Sequence, residues 1–126
     1  VFFDGVNWVS ATSLPDGSNY LGRPGVNNQT GISYNLVLSD ENKVVRCANT
    51  NSIAVNVPDN TTLDFPVGTV IQLRQVDEGK ITLVPAATVT VNTPESLISR
   101  KAGSTITLMK VAANEWDLTG DMEAAT

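Results

Sequence analysis

Thirteen carboxylates, a single thiol and no imidazole are what this chain of 126 residues has for chemistry. Without histidine, the commonest general base and metal ligand is missing. The candidate acidic pairs are Asp40 with Glu41, Asp77 with Glu78, and Glu115 with Asp117. Each pair falls at an expected turn or strand end, where solvated carboxylates are ordinary. Glycoside hydrolysis needs two carboxylates facing each other across a sugar cleft at roughly 5 to 9 Å, and neighbours in one hairpin loop diverge instead. Asp16, Asp40, Asp59 and Asp77 offer oxygen ligands, but no D-x-D-x-D-G calcium loop contains them. The expectation is therefore no catalytic residue, no metal and no cofactor. Cys47, being alone, excludes an intrachain disulfide and reads as a small buried hydrophobe. Trp8 and Trp116 are the two tryptophans; Trp116 reads as a core or intersubunit residue, and Trp8 as a residue outside the main core.

The elements that must position these residues read as strands. Val70, Gln72 and Arg74 alternate with Ile71, Leu73 and Gln75, the period of an extended chain. Asp77-Glu78-Gly79 interrupts the run and Ile81 to Val84 resumes it, which predicts a hairpin with a short Gly-containing loop. Tyr34–Leu38, Lys43–Cys47 and Ser52–Val57 give further strands before it. Val89–Asn92 follows it, Pro94–Ser99 suits a helical turn or a short strand, and Thr105–Val111 with Trp116–Thr119 closes the chain as a hairpin around Ala113-Asn114. These make roughly eight to ten short strands at spacings of about 8 to 12 residues. The expected fold is all-β: an antiparallel β-sandwich or barrel, jelly-roll-like, over residues 34–122.

Residues 1–33 read as an extended N-terminal arm. Its start, VFFDGVNWV, predicts a short aromatic hairpin, and the following stretch is turn chemistry without any sustained period. Residues 123–126 read as a frayed tail. The first residue, Val1 rather than Met, suggests a trimmed or processed product.

Composition limits the partners. Hydrophobic residues are 41% and charged residues 17%, with a net charge of −5 and eight scattered Lys and Arg. No basic stripe follows a phosphate backbone, so nucleic acid is not expected. No apolar run reaches the roughly 20 residues of a membrane span, so no membrane insertion is expected.

Several segments together carry a family resemblance. Tyr34-Asn35-Leu36-Val37-Leu38-Ser39-Asp40, Lys43-Val44-Val45, Val57-Pro58-Asp59-Asn60, Phe65-Pro66-Val67-Gly68-Thr69, Ile81-Thr82-Leu83-Val84, Val89-Thr90-Val91-Asn92 and Glu115-Trp116-Asp117-Leu118-Thr119-Gly120-Asp121 occur in that order. The region resembles a small β domain at the C-terminal ends of tail fibres and other virion proteins of tailed bacteriophages. Phe3-Asp4-Gly5-Val6-Asn7-Trp8 is similar to a short DGxxW hairpin of fibre proteins. In place of the family's glycine-rich loops the chain has Asp77-Glu78-Gly79 and Pro85-Ala86-Ala87.

The resemblance implies a non-enzymatic structural virion protein on the particle surface. It would be a tail-fibre domain for host attachment or a capsid decoration or head-fibre protein, commonly a homotrimer bound to other virion proteins. Binding to a host glycan or protein is then expected at Asp77, Glu78, Gly79, Ala86, Ala87 and Thr88, and assembly or anchoring through Phe2, Phe3, Trp8 and Trp116. The alternative from another class is a free carbohydrate-binding module.

Overall fold

The computed structural model describes residues 25–125, together with the backbone pairing of β1 (Phe2–Phe3) and β2 (Trp8–Val9), which run antiparallel. Within residues 25–125 the chain coils. It lays down β3 (Val26–Gln29), turns a corner and lays down β4 (Ser33–Asn35). It returns through a 3-10 turn at Leu38–Asp40 and repeats the path as β5 (Val44–Cys47) and β6 (Ile53–Val57). A further circuit gives β7 (Val70–Gln75) and β8 (Ile81–Pro85). Strands β3, β5 and β7 pair in parallel on one side, and β4, β6 and β8 in parallel on the other. The result is a β-solenoid of about three turns.

This overturns the expected sandwich, barrel or jelly roll: the all-β character stands, but the arrangement differs. It also overturns the central hairpin. β7 and β8 belong to different sheets, and the Asp77-Glu78-Gly79 break is a corner between them. Alternation specifies which side chains face inward, not which strand supplies the hydrogen bonds. Each of these strands finds its partner in the preceding turn. Registers such as Val26↔Val44↔Gln72 and Ser33↔Ala54↔Thr82 place every inward residue over another, giving columns Tyr34–Val55–Leu83 and Asn27–Val45–Leu73. Residues 26–29, expected in the arm, form the first of these strands.

The last turn is closed by antiparallel structure. β10 (Thr105–Ala112) pairs with β7, and β11 (Glu115–Gly120) pairs with β10 through the closing hairpin, where Asn114 takes φ 54°. β9 (Thr90–Asn92) lies beyond β11, so this sheet has six strands in the order β3-β5-β7-β10-β11-β9. The outer edge of β8 is covered by an antiparallel strap instead of a helical turn. Leu83 N–H donates to Leu97 O at 2.9 Å and Ser99 N–H to Ile81 O at 2.9 Å. Glu123, expected in the tail, anchors that strap, its N–H donating to Ile98 O at 2.7 Å.

Between the sheets lies one apolar core, including Leu36, Val45, Ile53, Val55, Leu73, Ile81, Leu83, Ile106, Leu108 and Leu118. Phe65, from the return segment after β6, closes one side and meets Trp116 edge-to-face, with ring centroids 5.4 Å apart and planes at 77°.

Candidate functional site

The two loops expected to form one binding tip are kept apart. Residues 76–80 make the corner before β8 and residues 86–89 the turn after it, so β8's five residues, about 16 Å of extended chain, separate them. Asp77 and Glu78 are exposed on their corner, whereas Gly79 is buried beneath it. Gly79 N–H donates to Asn49 O at 2.8 Å, and Asn49 Nδ2 donates to Thr30 O at 2.8 Å, so the corners of successive turns are stitched together. Gln75, wholly buried, braces the same corner: its Nε2 donates to Asp77 O at 2.8 Å and its Oε1 accepts from Ser99 Oγ at 2.6 Å. At the other end Ala86 packs against the core, with its N–H donating to Val57 O at 2.9 Å, while Ala87 and Thr88 are exposed. The first loop is thus a tightly braced corner carrying two outward carboxylates.

The outer face of the six-stranded sheet gathers more functional groups than either loop. Arg46 and Arg74 are in register on β5 and β7, and Asn28 adjoins Arg46 on β3. Arg46 Nη1 donates to Asn28 Oδ1 at 3.5 Å and Arg74 Nη1 to Thr105 Oγ1 at 3.3 Å. Neither arginine makes an ion pair among the described residues. Gln72, Thr107 and Thr119 continue the face, and Asn92, Glu115 and Asp117 end it. Parallel register sets Asn92 beside Asp117, and its Nδ2 donates to Glu115 Oε2 at 2.8 Å and to Asp117 Oδ1 at 2.9 Å. One amide thus bridges two carboxylates on the same strand face. They do not oppose each other across a cleft, as a general acid and its partner must in glycoside hydrolysis.

Beside this amide lies a shallow open groove of about 300 Å³, lined by Asn92, Thr93, Pro94, Asp117, Leu118 and Thr119. Its volume is at the small end of ligand sites. Its chemistry is a carboxylate, an amide and hydroxyls beside the apolar face of Pro94, while Leu118, 1% exposed, turns its side chain into the core; this suits a ligand with hydroxyl groups on an apolar ring. Sequence reasoning missed this site, because β9 and β11 are adjacent only through a parallel pairing that no hairpin signal announces.

A second polar cluster sits inside the first turn. Asp40, fully buried, accepts from Asn27 Nδ2 at 2.9 Å, Tyr34 OH at 2.6 Å and Val37 N–H at 3.0 Å. Burial and the hydrogen bond to Asp40 push the Tyr34 hydroxyl well above the ordinary tyrosine range. Burial, with the Asp40 charge adding to it, pushes the Cys47 thiol up to about 11, so the thiol is held protonated.

Trp116 is 1% exposed inside its own chain's core, so the ring offers no surface for the assembly contact expected of it. The side chains of Phe2, Phe3 and Trp8 lie outside the described residues. Among the described residues no three His, Cys, Asp or Glu are placed to hold a metal ion. No protein-family model, curated protein or solved structure matches the chain.

Proposed function

We propose that the chain is a non-enzymatic binding module: a stiff solenoid whose last turn presents a polar groove to the hydroxyl groups of a carbohydrate. The observation that carries this reading is the groove beside the Asn92–Asp117 pair, where an amide and a carboxylate are locked in register by β9 and β11. Planar amide and carboxylate groups exchange hydrogen bonds with adjacent sugar hydroxyls, and rigid strands keep the ordering cost of binding low.

The second reading is a surface domain of a phage virion, in a tail fibre or as a capsid decoration protein, with a homotrimer as the assembled form. It is supported by the sequence resemblance over residues 34–122 and by the first turn of the solenoid. There β3 and β4 have outer edges with no partner strand among the described residues, and Val26, Ile32, Val37 and Leu38 are exposed apolar side chains. In this reading copies of the chain meet at that end, and host glycan or protein is engaged at the other.

A glycan array probed with the isolated chain, combined with light scattering, separates the two. A monomer that binds glycan, and loses binding as Asn92→Ala and Asp117→Asn, supports the free module. A trimer supports the virion reading. A monomer that binds no glycan and attaches to no phage particle rejects both.

A further inference from the structure

Lys110 is a lysine placed where lysines are rarely found. It points inward from β10 and its side chain is 2% exposed. Its Nζ lies 5.9 Å from the centroid of the Trp116 ring, which also meets Phe65 edge-to-face. The amine has a specific target: Lys110 Nζ donates to Asn60 Oδ1, the side-chain carbonyl of a residue 50 positions away on the return segment after β6. The same oxygen receives the Asn114 N–H at 3.4 Å, and Asn60 is fixed in place because its own N–H donates to Asn114 Oδ1 at 2.7 Å. Asp64 Oδ1 stands 3.7 Å from the amine with its side chain 78% exposed, at the boundary between the buried amine and solvent.

These are the parts of an amide-forming site. A nucleophilic nitrogen is held against a carboxamide, the Asn114 N–H polarises that carbonyl, an aromatic wall excludes water, and a carboxylate is in reach to carry a proton. We infer that Lys110 and Asn60 form an intramolecular isopeptide bond. The Lys110 ammonium passes a proton to Asp64, and the neutral Nζ attacks Cγ of Asn60. The charge developing on Oδ1 is stabilised by the Asn114 N–H. Nζ sheds a second proton as it becomes the amide nitrogen; collapse breaks the Cγ–Nδ2 bond, and Nδ2 collects both protons through Asp64 and leaves as ammonium. Nζ–Cγ replaces Cγ–Nδ2, no electrons change hands and no cofactor is consumed. The product ties the return segment of the second turn to the closing hairpin, a covalent clasp across a fold that otherwise depends on strand pairing.

The test is the intact mass of the full purified chain, followed by tryptic mapping. The bond removes one ammonia, about 17 Da. It also blocks cleavage after Lys110, leaving a branched fragment that joins residues 47–74 to residues 102–126. A cyclic imide at an asparagine shows the same mass loss without the branch, so the fragment decides. Lys110→Arg and Asn60→Ala should each restore the sequence mass, and Asp64→Asn, at an exposed position that leaves the fold intact, should restore it in most molecules. The wild-type chain should migrate faster than these variants in denaturing gels. A wild-type chain at full sequence mass, cut normally after Lys110, overturns the inference.

Discussion

At the scale of single residues, polar groups inside the first turn set how the fold responds to pH. Asp40 has three donors and no cation beside it among the described residues, so Tyr34 supplies much of what replaces water. Tyr34→Phe removes one donor and leaves the carboxylate under-satisfied, which should cost about 1 to 3 kcal/mol in urea unfolding. Cys47 gives a second expectation. Its thiol titrates near the ordinary value when unfolded and about 11 when folded. Between those values the unfolded state has lost more protons, so stability present below about pH 9 should decline as pH rises toward 11. Tyr34, raised further, extends the decline upward. At the acid end Asp121, held low by hydrogen bonds from Arg100 and Ser104, and Asp59, held low by Thr61 and Thr62, have the opposite sign. Their contribution disappears as pH falls through their folded values. Melting temperature recorded from pH 3 to 11 should therefore show a plateau with losses at both ends, and native Cys47 should resist alkylation at pH 8 until denaturant is added.

At the scale of elements, the corners decide between a hairpin and a solenoid, and Gly79 shows how. A Cβ there would collide with the carbonyl oxygens of Asn49 and Asn51 in the corner of the preceding turn. Gly79→Ala should cost about 2 to 4 kcal/mol, read as a lower urea midpoint. Gly103→Ala meets no atom within 4 Å and carries only the strain of φ +93°, so it should cost about 1 kcal/mol. This contrast also explains what was legible in the sequence. Inward and outward faces were readable from Ile71, Leu73, Ile53, Val55 and Val57 by alternation alone, and so was the closing hairpin at Asn114. Which strands pair was not, because Asp77-Glu78-Gly79 serves a hairpin loop and a solenoid corner equally well. No fixed repeat exposes the coil: equivalent positions Val26, Val44 and Gln72 are unevenly spaced, since the return segments differ in length. The groove at Asn92 was hidden for the same reason. Its two strands are parallel neighbours separated along the chain by the strap and by β10.

At the scale of the molecule the two ends are unlike. The last turn is sealed: β10 covers β7, the strap through Leu97 and Ser99 covers β8, and the ion pairs Lys80–Glu123 and Arg100–Asp121, at 2.7 and 2.6 Å, hold the final residues over them. In the first turn β3 and β4 keep one unpaired edge each among the described residues, with Val26, Ile32, Val37 and Leu38 exposed around them. An uncovered parallel edge with apolar neighbours is a template for association unless something protects it. If copies meet there, a pair of charges should separate them without touching the core. The double variant Val26→Lys with Leu38→Lys should keep its circular dichroism and melting profile while light scattering falls from a trimer to a monomer. The groove lies on the far strands of the same sheet, so glycan binding per chain should survive that change, and only the avidity that comes from displaying several grooves together should be lost. A wild-type chain that is monomeric at all concentrations leaves nothing for those charges to separate and excludes association through this end.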